Sequence, residues 1–222
     1  MKNNPSEVFK VARTAKGYQA RQRILIATAE LLGECGVDNI TVLAICEHAN
    51  IGRTTLYNYF TDSSDVIQEL LSEFVTEIQS QFEQIHGDKP RGTIRLAYCL
   101  RFLMERSWRD PVWGKLAINL RDAGPAFDTY MKEQINLEIN GAIVNNELTL
   151  TKQELDVLSP FISSIVTDMC RKLSSREAAL KEITPIIALS LRAAGATPSL
   201  VKQAVSQKLS RALFKRSWLI SE

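Results

Sequence analysis

Residues 41–60, TVLAICEHANIGRTTLYNYF, predict a helix, a tight turn and a second helix. Thr41 suits the N-cap of the first helix, because its hydroxyl oxygen can accept a hydrogen bond from a free backbone N–H group there. Asn50 suits the end of that helix, because Asn tolerates left-handed backbone better than most residues other than Gly. The second helix is predicted over Arg53–Phe60, with Leu56 and Phe60 on its buried side.

The exposed side of this second helix is polar and rich in hydroxyl groups. It consists of Arg53, Thr54, Thr55, Tyr57, Asn58 and Tyr59. Such a set is a poor active site, whereas hydroxyls, an amide and one guanidinium suit the phosphate oxygens and base edges of DNA. The stretch therefore indicates a surface for a double-stranded DNA operator.

The same stretch resembles the DNA-binding helix-turn-helix of the TetR family of transcriptional regulators, whose usual run is roughly T-x-x-x-I-A-x-x-A-G-V-S-x-G-T-L-Y-x-Y/H-F. The close match covers about residues 20–70. The matching positions are Thr41, Ile45, Ala49, Ile51, Thr55, Leu56, Tyr57, Tyr59 and Phe60. The departures are Cys46, Asn50, Gly52 and Thr54, in place of the family's Ala, Gly, Ser and Gly. Ser63 stands where the family often has Lys; it can still bond a phosphate oxygen but brings no charge.

The resemblance implies an all-α fold, with an N-terminal helix-turn-helix three-helix head on a larger helical ligand-binding and dimerisation body. It assigns phosphate contacts to Thr41 and Tyr57, with Ser63 as a further candidate. It assigns base reading to Arg53, Thr54, Thr55 and Asn58, and either role to Tyr59.

Composition agrees with an all-helical protein. Gly and Pro are sparse, with 10 and 7 residues in 222, and alternating Val/Ile/Thr runs are few. No apolar run approaches a membrane span, and the N-terminus lacks the apolar core of a signal peptide, so a cytoplasmic location is expected. The four cysteines are scattered and are expected to be buried apolar residues. No cofactor and no metal site are predicted.

Charge is distributed unevenly along the chain. Residues 1–23 carry six Lys or Arg against one Glu, whereas residues 24–65 carry one Arg against six acidic residues. The basic arm, residues 1–19, either tracks phosphates or a minor groove, or is a solvated tail. Arg21 and Arg23 lie near the start of the first helix, where positive charge opposes the helix dipole. A nearby phosphate therefore explains their position better than helix stability does.

The predicted domains are the basic arm 1–19, the helix-turn-helix domain 20–65 and the effector-binding and dimerisation domain 66–222. Residues 87–92, GDKPRG, form the clearest linker. Two capping boxes, Thr151–Glu154 and Ser174–Glu177, predict helices that begin there, the second running to about Ala194. Pro160 is expected to kink or split the first and Pro185 to kink the second. Thr197-Pro198 predicts a last helix to about Trp218.

The central region is rich in aromatic residues on short helices. Four of them are candidates for an effector pocket, as opposed to ordinary core: Tyr98, Phe102, Trp113 and Phe127. Arg101 is expected to pair either with an anionic effector or with Glu105. His86 is expected to be a solvated residue at a helix end, with a pocket role as the alternative.

The sequence thus predicts a homodimeric DNA-binding regulator, a repressor released by a small-molecule effector and dimerising through helices near 151–194. A dimer implies a pseudo-palindromic operator. The alternatives are a helical small-molecule-binding protein or enzyme without DNA function, and an activator of the same family. Against an enzyme, no Ser/His/Asp, Cys/His or paired-carboxylate arrangement can be placed together.

Overall fold

The computed structural model describes residues 15–87 and 89–214. These residues form α-helices and short 3-10 turns, without a β-strand among them, which confirms the all-α fold class. The helices are α1 (Ala15–Cys35), α2 (Val42–His48), α3 (Arg53–Tyr57), α4 (Ser63–His86), α5 (Thr93–Arg109), α6 (Pro111–Asp122), α7 (Pro125–Val144), α8 (Lys152–Ser174), α9 (Ile183–Ala193) and α10 (Pro198–Ser206). The basic arm up to residue 14, and the part of the predicted last helix after residue 214, lie outside the described residues.

The described chain divides into two compact units, and the boundary falls between Thr76 and Glu77, inside α4. The unit up to Thr76 contains the helix-turn-helix stretch. The unit from Glu77 contains α5 to α10. Among the described residues, none of the helices is both long and apolar enough to cross a bilayer.

The first unit has a core of aliphatic side chains that recur at helical spacing. α1 packs against α2, and α2 packs against α3. Fully buried residues come from every helix of the unit: Ile24, Leu25, Leu32, Ile45, Leu56, Val66 and Leu70. Because burial of such a side chain contributes about 1.5–3 kcal/mol, this core holds the short α2 and α3, which are too short to be stable alone.

The second unit is organised around α5, which contacts all of α6, α7, α8, α9 and α10. Leu96, Leu100, Phe102, Leu103 and Met104 of this helix are all buried. Polar residues of α5 are buried as well, among them Arg106, so this helix lies inside the unit on most of its circumference although its sequence carries several charges.

Several predicted helix boundaries are wrong. The Ser174–Glu177 box does not begin a helix, because Ser174 ends α8 and its hydroxyl donates back to the carbonyl of Cys170 at 2.8 Å. The chain then turns, with Arg176 in left-handed backbone at φ 64°. A 3-10 turn at Leu180–Glu182 precedes α9.

Pro185 does not lie in the interior of its helix as predicted, and Pro160 does not split its helix. Pro185 lies in the first turn of α9, where backbone N–H groups have no intrahelical acceptor, so it interrupts no hydrogen bond. Pro160 lies within α8, which runs unsplit from Lys152 to Ser174. The last predicted helix is shorter than expected: α10 ends at Ser206, and Gln207 is extended.

The cysteines are buried with one exception. Cys46, Cys99 and Cys170 are buried, as predicted, whereas Cys35 is exposed in the last turn of α1. Its thiol donates to the carbonyl of Leu31 at 3.0 Å.

Candidate functional site

The helix-turn-helix is fixed by local backbone chemistry. The Thr41 hydroxyl accepts a hydrogen bond from the N–H of Ala44 at 3.1 Å, which confirms the predicted N-cap. Asn50 adopts left-handed backbone at φ 50°, as the turn requires. α3 ends at Tyr57, and the chain continues as a turn in which the N–H of Phe60 donates to the carbonyl of Leu56 at 3.0 Å.

The residues predicted to contact DNA are exposed or half-buried. Thr41, Arg53, Thr54, Tyr57 and Asn58 are exposed, and Thr55, Tyr59 and Ser63 are half-buried. Leu56 and Phe60, predicted to face inward, are 0% and 5% exposed. α3 is thus held by its apolar side chains and presents its polar side chains to solvent.

Two arginines of α1 hold this unit together through protein contacts. Arg21 forms ion pairs with Glu69 and Glu73 of α4. Arg23 donates to the carbonyl of Ala49, at the end of α2, at 3.1 Å. These contacts give both arginines partners within the protein, so a phosphate is not needed to explain them, and a phosphate contact stays a prediction. Sequence alone gives their position but not the helix that packs beside them.

The second unit contains a cavity lined by four helices. Its volume, counted as space open to the centre of a water molecule, is about 40 Å³. α5 contributes Leu100, Leu103 and Ser107; α6 contributes Trp113, Ala117, Ile118 and Arg121. α7 contributes Phe127, Met131 and Ile135; α8 contributes Ser163, Val166, Thr167 and Cys170. The wall is mostly apolar, which is typical of small-molecule sites.

The four aromatic pocket candidates separate into two groups. Trp113 and Phe127 line this cavity. Phe102 lies outside its lining and packs in an aromatic cluster, edge-on to Phe82 at a centroid distance of 6.0 Å and stacked on Phe214 at 5.5 Å. Tyr98 also lies outside the lining. Its hydroxyl donates to the side-chain carbonyl of Gln207 at 3.2 Å.

The wall contributed by α8 was missed by the sequence reasoning. Ser163, Val166, Thr167 and Cys170 follow helical spacing, which indicates an inward face. The pattern carries no signal that separates a residue beside a cavity from a residue packed in solid core.

Residues 24–70 match the family model described as bacterial regulatory proteins, tetR family. An HTH-type transcriptional regulator from Staphylococcus aureus is 36% identical over 89 residues, which cover 38% of this chain and 48% of the relative. Residues 24–70 therefore form a TetR-family helix-turn-helix domain. The chain spans about half the length of the curated relatives it matches.

Solved structures show that the likeness in fold extends beyond the TetR-type head. RolR in complex with resorcinol superposes with a TM-score of 0.65 at 23% identity, covering 90% of this chain and 99% of that chain. A TetR-like transcriptional regulator from Rhodococcus sp. superposes with a TM-score of 0.63 at 12% identity, covering 80% and 97%. At these identities the likeness establishes a shared fold.

His86 is buried, so the expectation of a solvated residue was wrong. It is 5% exposed. Arg95 Nη2 lies 2.6 Å from its Nδ1, and Cys99 Sγ lies 3.0 Å from its Nε2. Because a guanidinium only donates, Nδ1 is the acceptor and the proton sits on Nε2. Burial, together with the charges of Arg95, Arg91 and Lys89, lowers the pKa of His86 to about 4.

Arg95 extends this contact to a buried carboxylate. It pairs at 3.0 Å with Glu138 of α7, which is 2% exposed and also accepts the N–H of Gly92 at 3.1 Å. Burial raises the pKa of Glu138, although the Gly92 N–H and the two neighbouring arginines, Arg91 and Arg95, oppose the rise. The predicted linker after α4 is therefore bonded to α7.

Arg101 makes the protein contact that was one of its two predicted alternatives. It lies 3.5 Å from Glu105 and also donates to the Thr184 hydroxyl at 3.2 Å and the Val205 carbonyl at 3.1 Å. It does not line the cavity. Among residues 15–87 and 89–214, no group of three His, Cys, Asp or Glu side chains gathers to hold a metal ion.

Proposed function

We propose that this chain is a DNA-binding transcriptional repressor that binds a pseudo-palindromic operator as a dimer and is released by a small-molecule effector. The observation that carries the proposal is the polar, hydroxyl-rich surface of α3 on a helix-turn-helix whose apolar side chains are fully engaged. Such a helix fits the major groove and presents its polar side chains to base edges.

The residue roles follow from the chemistry of each exposed group. Thr41 uses its oxygen as an acceptor within the N-cap, so its hydroxyl proton can donate to a phosphate. Tyr57 has a phenol to donate to a phosphate in the same way, and Ser63 is a third candidate. Arg53, Thr54, Thr55 and Asn58 are assigned to base edges, and Tyr59 to either role.

Dimerisation through α8 and α9 is supported by large apolar side chains left in solvent. Val157 and Phe161 of α8 are 73% and 50% exposed, and Leu189 of α9 is 56% exposed. Exposed apolar side chains on neighbouring helices mark an interaction surface. A twofold interface would pair this surface with itself and impose twofold symmetry on the operator.

An effector role for the cavity is supported by its place between helices and by its mostly apolar lining. RolR, which shares the fold, holds resorcinol. An effector that binds the DNA-free form more tightly lowers DNA affinity, and by the same factor DNA lowers effector affinity.

The test is DNase footprinting on a duplex selected by the wild-type protein from a random-sequence pool. A protected site with twofold symmetry supports the proposal. Tyr57→Phe should weaken binding about fivefold, the cost of one hydrogen bond. Tyr98→Phe removes a matched hydroxyl that bonds Gln207 and should change nothing.

The salt dependence of binding to the same duplex shows whether Arg53 contacts a phosphate or a base edge. Arg53 is the only cation among residues 24–65. If it contacts a phosphate, Arg53→Ala should reduce the slope of log affinity against log salt by about one; if it reads a base, affinity falls while the slope stays. An absence of protection at low salt, with and without candidate effectors, would overturn the DNA-binding role.

A further inference from the structure

We infer that the cavity between α5, α6, α7 and α8 takes a small, electrically neutral, single-ring molecule that carries a hydroxyl group. This inference rests on the proposed effector role of the cavity and names the chemical class of its ligand. Size, charge and hydrogen-bonding capacity of the lining each restrict that class independently.

Size and polarity restrict the ligand to a compact apolar body. Two aromatic side chains, Trp113 and Phe127, and aliphatic side chains of α5, α6 and α7 form most of the wall. About 40 Å³ is open to the centre of a water molecule, more than one water needs. Apolar cavities in protein cores bind single rings such as benzene. A fused-ring or long-chain ligand would exceed this space, so either the walls would move or part of the ligand would lie outside the cavity.

The charge of the lining is already balanced. Among the described residues that line the cavity, Arg121 alone carries a charge. Its Nε donates to Asp128 Oδ1 at 2.6 Å, so its charge has a carboxylate partner. An anionic ligand would compete with Asp128 for this guanidinium. A cationic ligand would find no carboxylate in the lining, and burying an unpaired charge is costly. The lining therefore favours a neutral ligand.

Two of the three hydroxyl groups in the lining, those of Thr167 and Ser107, have already donated their protons. Thr167 donates its hydroxyl proton to the carbonyl of Ser163 at 2.8 Å, and Ser107 donates its proton to the carbonyl of Leu103 at 2.8 Å. A hydroxyl that has used its only proton offers lone pairs. A ligand that donates an O–H is therefore matched to Thr167 and Ser107.

The experiment measures binding of four rings of similar size by isothermal titration calorimetry at pH 7, without DNA. The probes are phenol and toluene, which are neutral, benzoate, which is anionic, and benzylamine, which is cationic. Phenol should bind most tightly. Toluene should bind about threefold to tenfold more weakly, because it lacks the hydrogen-bonding hydroxyl. Both charged rings should bind at least about tenfold more weakly than phenol.

Two substitutions assign this preference to named side chains. Thr167→Val keeps the side-chain volume and should remove most of the advantage of phenol over toluene. Thr129→Val is the matched control, because Thr129 makes the same backbone bond, to the Pro125 carbonyl at 2.9 Å, but lies outside the lining. Asp128→Asn releases Arg121 from its carboxylate and should tighten benzoate about tenfold while leaving toluene unchanged.

Several outcomes overturn the inference. Benzoate binding the wild-type protein as tightly as phenol would show that Arg121 is available to anions. No gain of benzoate binding in folded Asp128→Asn, or equal losses in Thr167→Val and Thr129→Val, would contradict the assigned contacts. Sequence-specific DNA binding without binding of any ring would reject the ligand class but not the regulator. Phenol binding without DNA binding would reject the regulator and keep the ligand class.

Discussion

The buried imidazole of His86 should make this protein lose stability on mild acidification. In the folded chain Arg95 donates to Nδ1, so a proton can enter only by displacing a guanidinium in a site that is 5% exposed. The pKa of His86 is accordingly lowered from 6.5 to about 4. Between these two values the unfolded chain binds the proton and the folded chain does not. Stability therefore rises with pH through this window and is lost as the pH falls.

The size of the effect follows from the two pKa values. At pH 7.5 the imidazole is neutral in both states, and its protonation contributes nothing to the pH dependence. At pH 5 the unfolded state is protonated and the folded state is mostly not, which lowers the free energy of unfolding by about 2 kcal/mol. This is a large part of a typical stability of about 5–15 kcal/mol.

Urea unfolding at pH 7.5 and pH 5 measures the change, and His86→Gln isolates it. Gln can still accept from Arg95 and does not titrate, so the fall in stability should be about 2 kcal/mol smaller in this variant than in the wild-type protein. His48→Gln is the control. His48, the other histidine of the chain, is an exposed residue 2.9 Å from Glu30, and such a pair contributes only about 0–1 kcal/mol.

Two results would refute this reasoning. One is a parallel fall in stability for His86→Gln and wild type. The other comes from NMR of the two imidazoles in the folded protein, assigned with His48→Gln. A His86 ring that titrates near 6.5 would show that neither burial nor Arg95 excludes the proton.

The remaining predictions concern stability near neutral pH. Thr41→Val removes the oxygen that caps α2 and should cost about 1 kcal/mol in urea unfolding, while Thr41→Ser should cost less than half of that; equal losses would point to packing instead of capping. Gly141→Ala would place a Cβ 2.8 Å from the carbonyl carbon of Arg91 and should lower the free energy of unfolding by about 1–3 kcal/mol. Gly33→Ala, which has open space around the new Cβ within α1, should raise the free energy of unfolding by about 0.5–1 kcal/mol. Leu56→Ala leaves a hole beneath α3 and should lower the free energy of unfolding by about 2–5 kcal/mol; a loss below 1 kcal/mol would mean that α3 is not held by this core.

The sequence determined the features that depend on neighbours along the chain. Caps at Thr41 and Thr151, left-handed backbone at Asn50 and the inward faces of Leu56 and Phe60 follow from local hydrogen bonding and from helical periodicity. The Ser174 box failed because the Ser174 hydroxyl bonds the preceding turn of α8, a competing local bond that the motif does not exclude.

The tertiary structure decided which helix lies beside each polar or aromatic side chain. Arg21 finds two carboxylates on α4, and His86 is buried against Arg95; neither partner is fixed by spacing in the sequence. Helical periodicity points both Trp113 and Phe102 inward. The packing of the helices leaves space beside Trp113, whereas neighbouring aromatic rings fill the space around Phe102. Sequence cannot give this difference, because a cavity is a property of the gap between helices and not of any one helix.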